Sequence, residues 1–296
     1  MNNNPYTAVC FGEVLWDILP HAKLPGGAPM NVAYHLNRLQ VPAAMISRTG
    51  NDSLAEELLQ FISSRGLDTS FIQKDDIYDT GTVLATLDGN NVSYEILQPV
   101  AWDFIQYSMH VQKLVSLAKY FIFGSLVARN EKSAQTLFEL LETAPYKVLD
   151  INLRTPHYER KTLEYLMRHA DMLKLNSDEL QLLGEWYGLG GSENEQMQTL
   201  QQKFHLNTII TTRGDKGAAV LHDGVYYEHP GFTVKVADTI GSGDAFLAGF
   251  ISRFMLQPVI PEALDFACKM GAFVAGRHGA CPDYNPADVT LLGQFT

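Results

Sequence analysis

The chain is 296 residues long and carries a formal net charge of −11, from 22 Lys and Arg against 33 Asp and Glu. That balance speaks against a surface built for nucleic acid or an anionic membrane, because both are gripped by clustered cations. Three cysteines (Cys10, Cys268 and Cys281) show no paired spacing, which excludes a disulfide framework and a thiolate zinc site and points to a reducing, cytoplasmic setting.

The length suits one doubly wound α/β domain, and a hydrophobic fraction of 46% is enough for a large core. No apolar run reaches membrane-spanning length, and Met1-Asn2-Asn3-Asn4-Pro5 lacks the positive start of a secretion signal. A soluble cytoplasmic protein is expected.

From Thr7 to Leu19 a near-continuous apolar run predicts a strand buried on both faces. Asp17 interrupts it, and a carboxylate there must be paired or face a cavity that holds polar ligand groups; the alternative is a solvent-facing residue on an edge strand. Next, Gly26-Gly27 lets the backbone approach a ligand or simply turn, and Pro29 stands near the start of a helix that continues through Ala33, Leu36 and Leu39. Asn31 falls in the first turn of that helix, where its amide can pair with a hydroxyl. A short strand is expected at 43–47, then a helix over 54–65 capped by Asn51-Asp52-Ser53. Segments 80–87 and 92–97 alternate around Asp88-Gly89-Asn90-Asn91, predicting a hairpin outside the main sheet.

From position 120 a βαβ rhythm sets in. Strands are expected at 120–124, 147–152, 172–176 and 207–212, with helices near 131–142, 160–168 and 194–204. Polar groups at the carboxyl ends of such strands are site candidates. Arg154, in Asp150-Ile151-Asn152-Leu153-Arg154, either offsets charge near the end of a strand or is a solvated loop residue. Asn176 and Glu179, in Asn-Ser-Asp-Glu, read either as a ligand pair or as a helix cap. Thr212, Gly214 and Gly217 form a glycine-rich turn that fits phosphates or a hairpin entry, ahead of strands at 218–221 and 225–229.

The most informative stretch is Asp238-Thr239-Ile240-Gly241-Ser242-Gly243-Asp244-Ala245-Phe246. Alternation over 231–236 predicts a strand before it, and a helix follows until Pro258. Gly241, Ser242 and Gly243 thereby place free amides at a helix N-terminus, a ready site for an anion, with Asp244 in the first helical turn beside it. A carboxylate next to an anion hole suits phosphoryl transfer. The plain alternative is a flexible turn with an acid at a helix start. A last helix is expected over 267–280.

Two of these strings, Gly26-Gly27-Ala28-Pro29-Met30-Asn31-Val32-Ala33 and the 238–246 stretch, together resemble the ribokinase-like (pfkB) carbohydrate kinases, and the first is the form typical of fructokinases. The resemblance covers essentially the whole chain. It implies a mostly parallel central sheet flanked by helices in one domain, 1–296, with a small β-sheet lid from about 13–33 and 78–105. It implies ATP and Mg2+ as cofactors, a K+ ion near Asp238, and a sugar as partner. Asp244 would be the catalytic base, with Gly241, Ser242 and Gly243 as the anion hole and Arg154 near the moving phosphoryl group. Asp17, Gly26, Gly27 and Asn31 would bind the sugar. Asn176 and Glu179 would shape the Mg2+ site, with Glu179 acting through water. Thr212, Gly214 and Gly217 would run along the nucleotide phosphates, and Cys268, where many relatives have Asn, would lie beside the adenine. A homodimer through the lid is also implied. One departure is that the lid segment 95–98 lacks the Arg that many fructokinases carry.

P-loop, dinucleotide-fold, zinc-protease and serine-hydrolase motifs are all absent from the sequence. The expected activity is therefore an ATP-dependent sugar kinase, most simply a fructokinase acting at O6. The rivals are a kinase of ribose, 2-keto-3-deoxygluconate or a nucleoside, and a non-catalytic sugar-binding protein on the same fold.

Overall fold

The computed structural model describes residues 5–19, 21–88, 91–255 and 259–292. The chain divides into two compact units, Met1–Phe121 with Leu126–Pro145, and Ile122–Ser125 with Tyr146–Thr296. The first unit contains, in chain order, β1 (Ala8–Phe11), β2 (Leu15–Leu19), β3 (Ala22–Gly26), α1 (Ala28–Arg38), β4 (Ala43–Thr49), α2 (Ser53–Ser64), β5 (Ile72–Lys74), β6 (Gly81–Asp88), β7 (Asn91–Ile96), α3 (Met109–Leu117) and, after β8 (Tyr120–Gly124), α4 (Glu131–Leu141). The second contains β9 (Lys147–Asp150), α5 (Arg160–His169), β10 (Met172–Asn176), α6 (Ser177–Tyr187), α7 (Glu193–Phe204), β11 (Thr208–Thr212), β12 (Ala218–His222), β13 (Val225–His229), α8 (Ser242–Phe254), α9 (Ile260–Ala275) and α10 (Pro286–Thr290).

Nine strands share one sheet, in the order β13-β12-β11-β10-β9-β8-β1-β4-β5, and four form a second sheet, β3-β2-β6-β7. Within the large sheet β1–β4, β4–β5, β9–β10 and β10–β11 are parallel, while β11–β12 and β12–β13 are antiparallel. The parallel strands are apolar on both faces: Ala8, Val9, Cys10 and Phe11 are all buried, as are Met172, Leu173 and Leu175. Helices cover both faces of such strands, so the expected alternation of strand and helix follows from the need to bury them. The hairpin expected at 80–97 is β6–β7 of the small sheet; its turn residues 89 and 90 lie outside the described residues.

The structure departs from expectation in four places. The run 7–19 is two strands, because Gly12 takes φ +148° and a Cβ there would come 2.7 Å from Pro29 Cγ. The amide of Gly12 donates to Ile46 O, and its carbonyl accepts from Ser47 Oγ, which ends β1 and lets β2 join the other sheet. Segment 231–236 forms no strand, since Phe232, Val234 and Val236 line a cleft rather than a core. Asn152, at φ +38°, takes the chain out of β9 earlier than the expected 152. The last long helix spans Ile260–Ala275 instead of 267–280; the Ala275 carbonyl receives the amides of Ala237 and Asp238, so the loop before the anion-hole motif terminates it. Helix α8 ends at Phe254, and Pro258, expected to end it, lies outside the described residues.

Asp52 shows how a loop is tied to the small sheet's entry. Its carboxylate caps α2 by accepting from Ala55 N, and it also accepts from Thr80 N and Thr80 Oγ1 just before β6. Burial works to raise its pKa, but these hydrogen bonds outweigh burial and hold it below the ordinary 3.8. A carboxyl with a lowered folded pKa adds stability above pH 3.8 that is lost as pH falls through the folded value. Asp52→Ala is expected to cost about 1–2 kcal/mol, the scale of a lost N-cap. Urea unfolding at neutral pH reads this loss, and the gap between the two proteins should narrow in acid.

Candidate active site

In the first unit, Asp17 sits on β2, which lies between β3 and β6 and is therefore not an edge strand. The β2–β3 register pairs Leu15 with Gly26, and the Asp17 carboxylate folds over Gly26, 2.5 Å from where a Cβ would be. Gly27, at φ +115°, is the N-cap of α1; a Cβ there would meet the Glu13 carbonyl at 2.3 Å. Only glycine permits that close approach. The Gly27 carbonyl accepts from Asn31 N at 2.9 Å, and Asn31 is buried. Asp17, Gly26, Gly27 and Asn31 are thus gathered by one β-hairpin running into one helix. Glu13 was missed by sequence reasoning: it is 3% exposed, and its Oε1 accepts from Ala28 N at 3.1 Å. The available signal was a second acid inside the apolar run 7–19.

In the second unit, Gly241 is the N-cap of α8 in the left-handed region, φ +74°. Ser242 Oγ donates to Gly271 O of α9, anchoring the loop, and Asp244 is buried in the first turn of α8. The loop is further held by Asp238, which accepts from Ile240 N at 3.0 Å and from Gly279 N at 3.2 Å. Asn176, Thr212, Gly214, Gly217, Ser242, Gly243 and Cys268 line one cleft of about 640 Å3, walled on its apolar side by Phe232, Val234 and Phe246. Gly217, at φ +80°, is wedged so that a Cβ would stand 1.9 Å from His229 O. Cys268 is buried among apolar groups, and burial, with Asp265 adding to it, pushes its thiol up to about 12, so it stays protonated.

Asn176 and Glu179 form a capping box on α6: Glu179 N donates to Asn176 Oδ1, and Asn176 N to Glu179 Oε2. The helix-cap reading is therefore correct as local structure. Glu179 Oε1 also accepts from Leu153 N at 2.7 Å, fixing the loop after β9. Burial raises the Glu179 pKa and Asp150's charge adds to it, against hydrogen bonds and Lys174 that lower it. Arg154 lies on that same loop, exposed, with Nη1 donating to Leu153 O, and is not among the residues lining the cleft.

Lys174 is the second residue that sequence reasoning passed over. It is a charged residue within the buried strand β10, and its Nζ lies 2.6 Å from Asp150 Oδ2 on β9. Among the described residues no group of three or more His, Cys, Asp or Glu is arranged to enclose a metal ion. The Glu179 carboxylate, whose oxygens each accept one amide and keep a further lone pair, nonetheless suits Mg2+ through water, since that ion takes few carboxylates plus phosphate and water.

A family model described as pfkB family carbohydrate kinase matches residues 21–288, and the chain belongs to that family. It is an ATP-dependent carbohydrate kinase with the ribokinase-like fold. Among its relatives is an uncharacterized sugar kinase of Pyrococcus horikoshii, 31% identical over 80% of this chain and 75% of that one. Fructokinase-1 of Oryza sativa subsp. japonica is 28% identical over 96% of each chain. A fructokinase from Vibrio cholerae O395, solved with fructose, ADP and a calcium ion, superposes with a TM-score of 0.83 at 26% identity, covering 98% of this chain and 99% of that one. No described helix is long and apolar enough to cross a membrane.

Proposed function

We propose that this kinase is a fructokinase that transfers the γ-phosphoryl group of ATP to fructose O6. The observation that carries the phosphoryl-transfer reading is the α8 N-terminus beside a cleft of nucleotide size: the chain turns at Gly241 in the left-handed region, and Asp244 is buried in the first turn. Of the three amides expected to be free, that of Ser242 donates to Thr239 O at 3.3 Å, because the tight turn into the helix brings that carbonyl to it. The fructose reading is supported by the Gly-Gly-Ala-Pro-x-Asn-Val-Ala string and by relatives that are fructokinases.

In this mechanism the nucleotide lies in the cleft with its phosphates along Thr212, Gly214 and Gly217 and its base near Cys268. Asp17 and Asn31 hold the sugar hydroxyls against Gly26 and Gly27. Asp244 accepts the proton of the O6 hydroxyl as the oxygen attacks the γ-phosphorus; the P–O bond to the β-phosphate breaks and ADP departs. Amides of Gly241, Ser242 and Gly243 hold the charge of the moving group, a role fixed dipoles fill with little reorganisation. Arg154, which is exposed and bonded to Leu153 O, would add positive charge only by swinging from that carbonyl toward the phosphates. Mg2+, held through water by Glu179, would neutralise phosphate charge when bound. A K+ ion would sit near Asp238, whose carboxylate already clamps two amides, with backbone carbonyls completing its shell.

The deciding experiment compares kcat/KM, read as ADP release with saturating MgATP, for fructose, ribose, 2-keto-3-deoxygluconate and adenosine. Fructose is expected to lead by at least about tenfold, since a site that pairs hydroxyls penalises acceptors that leave its groups unmatched. A different leader removes the fructose assignment and keeps the kinase; no ADP release with any sugar removes both. We also assign homodimerisation to the small sheet, where Tyr94 on β7 is 59% exposed. Sedimentation of Tyr94→Asp should then show monomer where the parent chain shows dimer, and an unchanged profile would move the interface elsewhere.

A further inference from the structure

The buried pair Lys174–Asp150 goes against two stability rules. Both side chains are nearly inaccessible, at 8% and 6% exposed, with Nζ 2.6 Å from Oδ2. Desolvating such a pair costs so much that well-packed apolar residues of similar size often serve stability as well or better. The ammonium also stands against the first turn of α8, 3.4 Å from where a Gly243 Cβ would be. That is the positive end of a helix, where a cation is disfavoured. What compensates is the set of carboxylates around it. Asp150 on β9 holds it at 2.6 Å, and Asp244 on α8 and Glu179 on α6 add negative charge around it. The remaining cation of the β9–α5 loop, Arg154, is exposed and turned to its own neighbour's carbonyl. Lys174 is therefore the buried cation that these carboxylates share.

We propose that Lys174 is a positioning residue for Asp244: clamped by Asp150, its ammonium holds the first turn of α8 so that the Asp244 carboxylate faces the incoming hydroxyl. The inference rests on the role of Asp244 given above, and Asp244→Asn tests that role separately. Three variants test the inference, with Tm, kcat and both KM values as readouts: Lys174→Met, the double variant D150N/K174M, and Lys174→Arg. The double variant no longer buries an unpaired charge, so it should regain most of the Tm that Lys174→Met loses. Its kcat should nevertheless stay about 10²-fold down, the scale of one lost preorganised electrostatic group, with both KM values within about threefold. Lys174→Arg should recover most of the kcat.

If the double variant regains kcat together with Tm, the pair is only structural and the proposal falls. It falls equally if kcat persists while the KM for ATP rises tenfold or more, because the ammonium then serves nucleotide binding. Should Lys174→Met not fold, the double variant and Lys174→Arg decide on the same readouts. Full turnover in Asp244→Asn would instead overturn the base assignment beneath the inference.

Discussion

Asp244→Asn is expected to lower kcat by about 10²–10⁴-fold, the range that a positioned general base supplies. The amide is nearly isosteric with the carboxylate, so α8 should keep its first turn, and sugar and nucleotide affinity should change little. Asp244 is buried at the start of a helix whose next residues, Ala245 to Ser252, are also buried. A substitution that kept shape and lost only proton affinity would therefore isolate chemistry from folding. Equilibrium binding of fructose and of ADP, measured beside steady-state kinetics, separates the two. Turnover near that of the parent would sink the base assignment; lost binding with it would mean that the residue organises the site.

Gly241→Ala is expected to be the second most damaging change. At φ +74° an alanine meets the left-handed penalty of about 1–2 kcal/mol. Here it also meets the Ala280 Cβ at 2.4 Å and the Ala280 Cα at 2.6 Å, and the second of these is backbone that cannot swing aside. The loop carrying the 241–243 amides must shift, and a displaced donor costs about 10²–10³-fold in kcat. Gly188→Ala is the matching control: its φ is +64°, it ends α6, and nothing stands within 4 Å of the added methyl. The control should lose only the backbone penalty in urea unfolding. If Gly241→Ala behaves like Gly188→Ala in both stability and kcat, the anion hole does not depend on this geometry.

The parts of the protein that sequence makes plain are those whose causes are local. A Gly-Ser-Gly-Asp string at the start of an apolar helix puts its backbone amides at that helix's N-terminus whatever packs around it. Asp52 and Asn176 cap their helices by bonds to amides three positions on. The apolar runs of β8, β10 and β11 reveal strands buried on both faces, and the separation of the β6–β7 hairpin shows in its alternating pattern. Where alternation had two physical meanings, sequence could not choose between them. Phe232, Val234 and Val236 alternate as a strand would, but they line a cleft. The run from Thr7 to Leu19 looked continuous because nothing nearby reveals that Pro29 packs on Gly12 and excludes a Cβ there.

By itself, then, the sequence determined the family, the reaction class, and the two strings that hold sugar and phosphate candidates. All of these depend on residue type and short spacing. Only the tertiary structure decided that Lys174 meets Asp150, that Glu179 ties Leu153 as well as its own helix cap, and that α9 stops at Ala275 because a distant loop takes its carbonyl. Those are encounters between residues far apart in the chain, fixed by which strands lie side by side, and the order of strands in a sheet leaves no mark in any one segment.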